Sequence, residues 1–201
     1  MGTKTYQFCL SLVLAYILLA CSFWLAEWFW VLFSVSLFTL IGLAYIQERI
    51  VIKRMNWREV GCGLLSGTLL YLIFAFGKQL IVWLQLPLLE SLSQLYETVS
   101  PRVWWHYVML FLVIIPGEEL FWRNYVQKRL TRVLPPGKGI LLGTLLYAGA
   151  HIWSGSVLLV IAALVGGVFW GWLYERTGKI EVAILSHLVF DVWLLILLPL
   201  L

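Results

Sequence analysis

The feature that most constrains this chain is the length of its apolar runs. Stretches such as Phe8 to Ala26 and Trp28 to Ile46 follow one another with only short charged segments between them, and about 20 apolar residues is what a helix needs to cross the hydrocarbon of a bilayer. Composition agrees: of 201 residues, 62% are hydrophobic and 12% charged, more apolar surface than a soluble domain of this size can bury. The sequence therefore predicts an all-α polytopic membrane protein of about seven spans, with little mass left for a soluble domain.

Two spans at Phe8–Ala26 and Trp28–Ile46 form a hairpin with Trp24, Trp28 and Trp30 at an interface. The first run is too long for a signal-peptide core, so it reads as a retained span. Met1-Gly2-Thr3-Lys4-Thr5-Tyr6 lacks the hydroxyl residue that a myristoylation signal wants at its sixth position. A basic connection at Gln47–Glu59 precedes a third span at Val60–Phe76. Gly77–Val99, with Lys78, Glu90 and Glu97, is less apolar and reads as the end of that span followed by an interfacial segment. Span four runs from Trp104 to Val126. A second basic connection holds Lys128, Arg129, Arg132 and Lys138 around Pro135-Pro136-Gly137, and Gly139–Trp153, Val157–Tyr174 and Val182–Leu198 complete the set.

The basic connections follow spans two, four and, more weakly, six. The positive-inside rule then places the N-terminus in the cytoplasm and the C-terminus on the opposite side. The same distribution accounts for the net charge of +4 without nucleic acid. Cys9, Cys21 and Cys62 lie in apolar stretches without metal or disulfide spacing and read as packing residues. Residues 1–100 are read as N-terminal spans plus the interfacial segment, and 101–201 as the functional core.

Ionisable groups at membrane depth are functional-site hypotheses, each needing a partner. Glu119 and Arg123 are spaced i, i+4 and predict an ion pair on one helix face. Glu118 points about 100° away from Glu119 and should not share its job. His151 lies in span five, one turn after Tyr147, and His187 in span seven, one turn before Asp191, the only aspartate of the chain. Counted from the basic ends of their spans, Glu118, His151 and His187 lie roughly 12, 18 and 9 Å deep. That predicts a shared cavity open toward the cytoplasmic half. Pro116-Gly117 should loosen the helix just before the acidic pair.

Glu118-Glu119-x-x-x-Arg123, then Tyr147-x-x-x-His151, then His187-x-x-x-Asp191 is similar to the motif series of the CAAX prenyl endopeptidase and bacteriocin-processing family, the CPBP or Abi intramembrane proteases. The resemblance covers about Val103 to Trp193. Tyr147 stands where phenylalanine is usual, and Asp191 where asparagine is common. The resemblance implies peptide-bond hydrolysis inside the membrane, within a CAAX-protease-like core among spans four, five and seven. Glu118 would serve as general base and His151 would position water. His187, held by Asp191, and Asp191 itself would orient water or stabilise the oxyanion, with Glu119 and Arg123 as support. No cofactor is favoured. Glu118, His151 and His187 are nonetheless also the two-histidine, one-carboxylate set of a catalytic zinc site. Asp191 is read as the only carboxylate available to support such a site.

The implied substrate is a membrane-anchored or membrane-tail protein or peptide, such as a leader or sorting signal, and the implied setting is the bacterial plasma membrane. Two rival functions use the same residues. A proton-coupled carrier also places Glu, His and Asp at the midplane, although repeated halves are missing here, and a noncatalytic scaffold would bind a client helix. His106, among Trp104, Trp105 and Tyr107, reads as an interface residue, and Lys78 as snorkelling.

Overall fold

The computed structural model describes residues 3–201; Met1 and Gly2 of the myristoylation pattern lie outside the described residues. All regular structure among the described residues is helical. The main helices are α1 (Thr3–Trp24), α2 (Phe29–Gln47), α3 (Trp57–Trp83), α4 (Leu89–Val99), α5 (Trp104–Thr131), α6 (Pro136–Ala150), α7 (Val157–Thr177) and α8 (Ile180–Leu197). Five of them, α1, α2, α3, α7 and α8, are long and apolar enough to cross a membrane. The pair α4 and α5, joined at a 92° bend, makes a sixth candidate. Helix α6 has 15 residues, about 22 Å of rise against a hydrocarbon core of about 30 Å. The expected seven spans are thus met by five to six candidates and one helix too short to cross unaided.

Helix α3 begins three residues before the expected third span because Asn56 and Glu59 form a reciprocal capping box. The Glu59 N–H donates to Asn56 Oδ1 at 3.0 Å and the Asn56 N–H to Glu59 Oε2 at 2.7 Å. The helix continues to Trp83, taking in the first part of the 77–100 stretch. The remainder turns through Gln85, at φ 51°, and forms α4. That helix is fixed by Tyr96, whose hydroxyl donates to the Leu194 carbonyl at 3.0 Å and accepts the Leu200 N–H at 3.0 Å.

Where lipid replaces water, helices associate through small residues and interhelical hydrogen bonds. The closest contact of α3 is with α8, across Gly63 and Gly67, spaced as a small-xxx-small stripe. A Cβ on Gly67 would collide with the Ser186 carbonyl oxygen and with Val189 Cβ. The Trp193 indole donates to Thr68 Oγ1 at 3.1 Å, and Ser66 Oγ donates to Ser186 Oγ at 3.0 Å. On the other flank, Ser22 and Ser36 join α1 to α2 at 3.1 Å.

The basic connections meet at one end of the bundle. Arg132 grips Glu48 with two hydrogen bonds of 2.9 and 2.7 Å, and Lys128 Nζ lies 3.2 Å from the same carboxylate. Burial pushes the Glu48 carboxyl up, but hydrogen bonds from Arg132 and Lys128 outweigh it and hold the group below its ordinary value. Lys179 pairs with Glu59 at 2.7 Å, and the Lys53 N–H donates to Glu181. Lys78 stands at the opposite end and donates to the Leu201 carbonyl at 3.0 Å.

Gly67→Ala is expected to lower the stability of the detergent-solubilised protein by about 1–3 kcal/mol, the usual range for overpacking. Gly77→Ala is the control, because a Cβ there meets nothing within 4 Å. Thermal unfolding of the two variants side by side checks this.

Candidate active site

The site is built on wide helix turns. Pro116 has no N–H to donate, and just before it α5 opens into a π-helical stretch, Leu110–Ile114, where the Ile115 N–H reaches back five residues to the Leu110 carbonyl. A second π-helical stretch, Glu119–Gln127, begins at the acidic pair, and a third, Val192–Leu197, begins immediately after Asp191. Such widened turns recur at functional sites because they re-aim side chains.

Glu118, His151, His187 and Asp191 are all buried and all line one cavity of about 140 Å³. Glu118 is its centre. Its Oε1 accepts the Tyr147 hydroxyl at 3.2 Å and lies 3.5 Å from His151 Nε2, while its Oε2 lies 3.8 Å from His187 Nε2.

The other nitrogen of each imidazole is engaged. His151 Nδ1 is 2.8 Å from the Tyr147 carbonyl, which only accepts, so Nδ1 carries the proton. His187 Nδ1 is 2.9 Å from Glu119 Oε1. Arg123 Nη1 lies 3.1 Å from the same oxygen, an ion pair by distance whose angle falls outside hydrogen-bond geometry. Both Nε2 atoms are therefore turned toward Glu118.

Two expectations are corrected here. His187 is held by Glu119 rather than by Asp191, whose Oδ2 lies 3.8 Å from Nε2, beyond hydrogen-bond range. Asp191 is therefore not the only supporting carboxylate. The two neighbouring glutamates keep separate jobs, as expected, Glu118 at the cavity and Glu119 behind it, while facing the two nitrogens of one ring.

Arg123 ties this assembly to α6 and α7. Its guanidinium lies over the Tyr147 ring at 4.5 Å and the Trp170 ring at 5.4 Å, and donates to the Gly166 carbonyl at 3.4 Å. Trp170 stacks on His187 with centroids 3.8 Å apart and planes 19° apart. Sequence reasoning assigned Trp170 no part and left α7 out of the site. The signal was the run Gly166-Gly167-x-x-Trp170-Gly171. A Cβ on Gly166 would meet the Trp170 ring at 2.6 Å, so glycine there makes room for the indole.

Part of the remaining cavity wall comes from the ends of helices remote from the basic connections: Phe23, Phe29, Trp30 and Phe33 from the α1–α2 hairpin, Leu110 from α5 and Leu194 from α8. On the basic side, residues 121–127 of α5 are buried without a break. The cavity thus opens toward the end opposite the basic connections, not toward the half nearer to them. Depths counted along the helices from the basic ends locate Glu118, His151 and His187 but not the side on which the helix ends stand apart. His106 lies outside the cavity, its ring stacked on Trp30 at 4.2 Å and accepting the Arg102 N–H at 3.2 Å.

Residues 100–193 match the family model described as Type II CAAX prenyl endopeptidase Rce1-like. This segment, which holds the whole polar constellation, is similar to that endopeptidase family, and the chain carrying it is an integral membrane protein. The chain is also similar to YyaK of Bacillus subtilis (strain 168), an uncharacterized protein, with 28% identity over 179 residues. The match takes in 80% of this chain and 58% of that relative's length. No solved structure matches the chain.

Glu119→Gln removes the anchor of His187 and leaves Arg123 buried without its counter-charge. The expected loss is about 3–5 kcal/mol, typical of breaking a buried pair from one side. Equilibrium unfolding in detergent measures it, and Glu119→Asp is expected to lose less.

Proposed function

We propose that the chain is an intramembrane endopeptidase in which Glu118 activates water. One observation carries this reading. Two imidazole Nε2 atoms and one carboxylate converge on a buried cavity, and each ring is turned inward by a hydrogen bond to its Nδ1. Three acceptors facing one point attract a donor of two protons, and water is the smallest.

Glu118 takes a proton from that water while the oxygen forms a bond to the scissile carbonyl carbon. His151 holds the water through its free Nε2. The oxyanion then forms beside the Tyr147 hydroxyl, the donor of the cavity, while His187 accepts from the water through Nε2 and Asp191 stands near enough to order a second water. When the C–N bond breaks, Glu118 returns the proton to the departing amine, so the carboxylate is restored.

A zinc-dependent variant is the second reading, favoured by the same Nδ1 anchors, since supporting hydrogen bonds of this kind orient metal-bound histidines. Glu118, His151 and His187 would hold the ion, which would supply a polarised water. Among the described residues no group of three or more His, Cys, Asp or Glu is gathered tightly enough to hold a metal, so those three would have to close inward.

The substrate in this proposal is a membrane-anchored or membrane-tail peptide, a leader or sorting signal, and the setting is the bacterial plasma membrane. With the basic end in the cytoplasm, the cavity opens toward the outer face.

With a panel of quenched membrane-tail peptides, Glu118→Gln is expected to reduce cleavage by about 10²–10⁴-fold, the range for a general base, with unchanged thermal stability. Wild-type protein that cuts no peptide counts against the protease. Stoichiometric zinc by mass spectrometry, together with chelator-sensitive cleavage, shifts the choice to the metal reading. Orientation is checked separately: Trp28→Cys should react with a membrane-impermeant thiol reagent in intact cells and Arg49→Cys only after the membrane is opened.

A further inference from the structure

The catalytic cavity does not end at its aromatic wall. Phe23, Val99 and Leu159 also line a second, outer hollow of about 290 Å³ between α4 and the turn at 154–159. The two spaces are neighbours, with these three side chains as their common wall.

The chemistry of this outer groove differs from that of the inner cavity. Ser91, Gln94 and Thr98, spaced i, i+3 and i+7, present one face of α4 to it, and Ser154 and Ser156 stand on the facing wall. No charged residue lines it, although α4 carries Glu90 and Glu97, both exposed and outside the lining. Both walls are fastened to the catalytic helices. Ser154 Oγ donates to the His151 carbonyl at 2.7 Å, and Gly155, at φ 69°, makes the tight reversal that sets Ser154 and Ser156 side by side. On the other side Tyr96 ties α4 to the carbonyl of Leu194, a residue of the inner cavity.

An extended peptide brought into a membrane protein exposes N–H and C=O groups that neither lipid nor an aromatic wall can satisfy. The Gln94 amide and the Ser91 hydroxyl can both donate and accept, whereas Thr98 and Ser154, whose hydrogens go to the Gln94 and His151 carbonyls, offer oxygen lone pairs to a backbone N–H. We infer that the groove between α4 and the 154–159 turn holds an extended, uncharged peptide segment that leads to the bond presented to Glu118. The inference rests on the protease reading for its direction. It makes the preferred substrate one whose charged residues lie beyond the groove and whose bulky apolar side chain enters the pouch of Phe23, Phe29, Trp30 and Phe33.

Binding is tested apart from cleavage. In the full chain carrying Glu118→Gln, with its three cysteines replaced by alanine, Thr98→Cys is labelled with a maleimide in detergent. Ser91→Cys serves as a second groove position should the first variant misfold, and Trp83→Cys, outside the groove, is the control. The probe is the blocked peptide acetyl-Ser-Gly-Phe-Leu-Ser-Gly-amide. At about four times its dissociation constant it is expected to slow labelling in the groove about fivefold, as single-site occupancy requires, and to leave the control unchanged. The same peptide with aspartate for both serines should need a concentration at least about tenfold higher, because its charges meet no partner. Equal protection by the two peptides, or none by either, overturns the inference. Failure of the wild-type protein to cleave would overturn the enzymatic reading while leaving the labelling result to stand.

Discussion

A guanidinium buried at bilayer depth must be neutralised and hydrogen-bonded within the protein, and the last four helices are arranged around the way this is done for Arg123. Its charge meets Glu119 on its own helix, its planar face lies against Tyr147 of α6 and Trp170 of α7, and its edge reaches the Gly166 carbonyl. Glu119 and Trp170 both pass the constraint on to His187 of α8, one by a hydrogen bond and the other by stacking. One buried cation therefore sets the position of residues on four helices. The ring that faces Glu118 is held from two sides, by a carboxylate at its Nδ1 and by an indole stacked on its face.

The widened turns of α5 and α8 belong to the same scheme. A regular helix would send Glu118 and Glu119 to different neighbours. In the widened helix one carboxylate reaches the cavity while the next slips behind the histidine, and two adjacent residues serve two shells of one site. The energetic cost of irregular backbone in a membrane is tolerated where protein surrounds it, and residues 117–127 are buried almost throughout.

Much of this was legible in the sequence, because the signals were local. Apolar runs gave α1, α2, α3, α7 and α8, and the i, i+4 spacing gave the Glu119–Arg123 pair. The convergence of Glu118, His151 and His187 followed from counting rise along helices. What escaped was relational. Trp170 is one of 12 tryptophans, and nothing in its neighbours except the glycines beside it marks it as the one stacked on His187. The partner of His187 was sought one turn away, at Asp191, since sequence offers only intrahelical neighbours, whereas the actual partner lies 68 positions distant. The direction in which the cavity opens depends on which helix ends stand apart, a property of the packed bundle rather than of any segment.

The clasp of Glu48 with Arg132 and Lys128 has a consequence in time. During insertion of a nascent chain, lysines and arginines near span ends bias orientation while acidic residues contribute little, so these cations act first as individual charges read by the membrane. The carboxylate that neutralises them follows α2, whereas they stand at the C-terminal end of α5, roughly 80 residues later in the chain. The pairing can close only after both helices are in place. The same side chains thus serve in succession as a topology signal and as a fastener, and the fastener engages only when the signal has been obeyed.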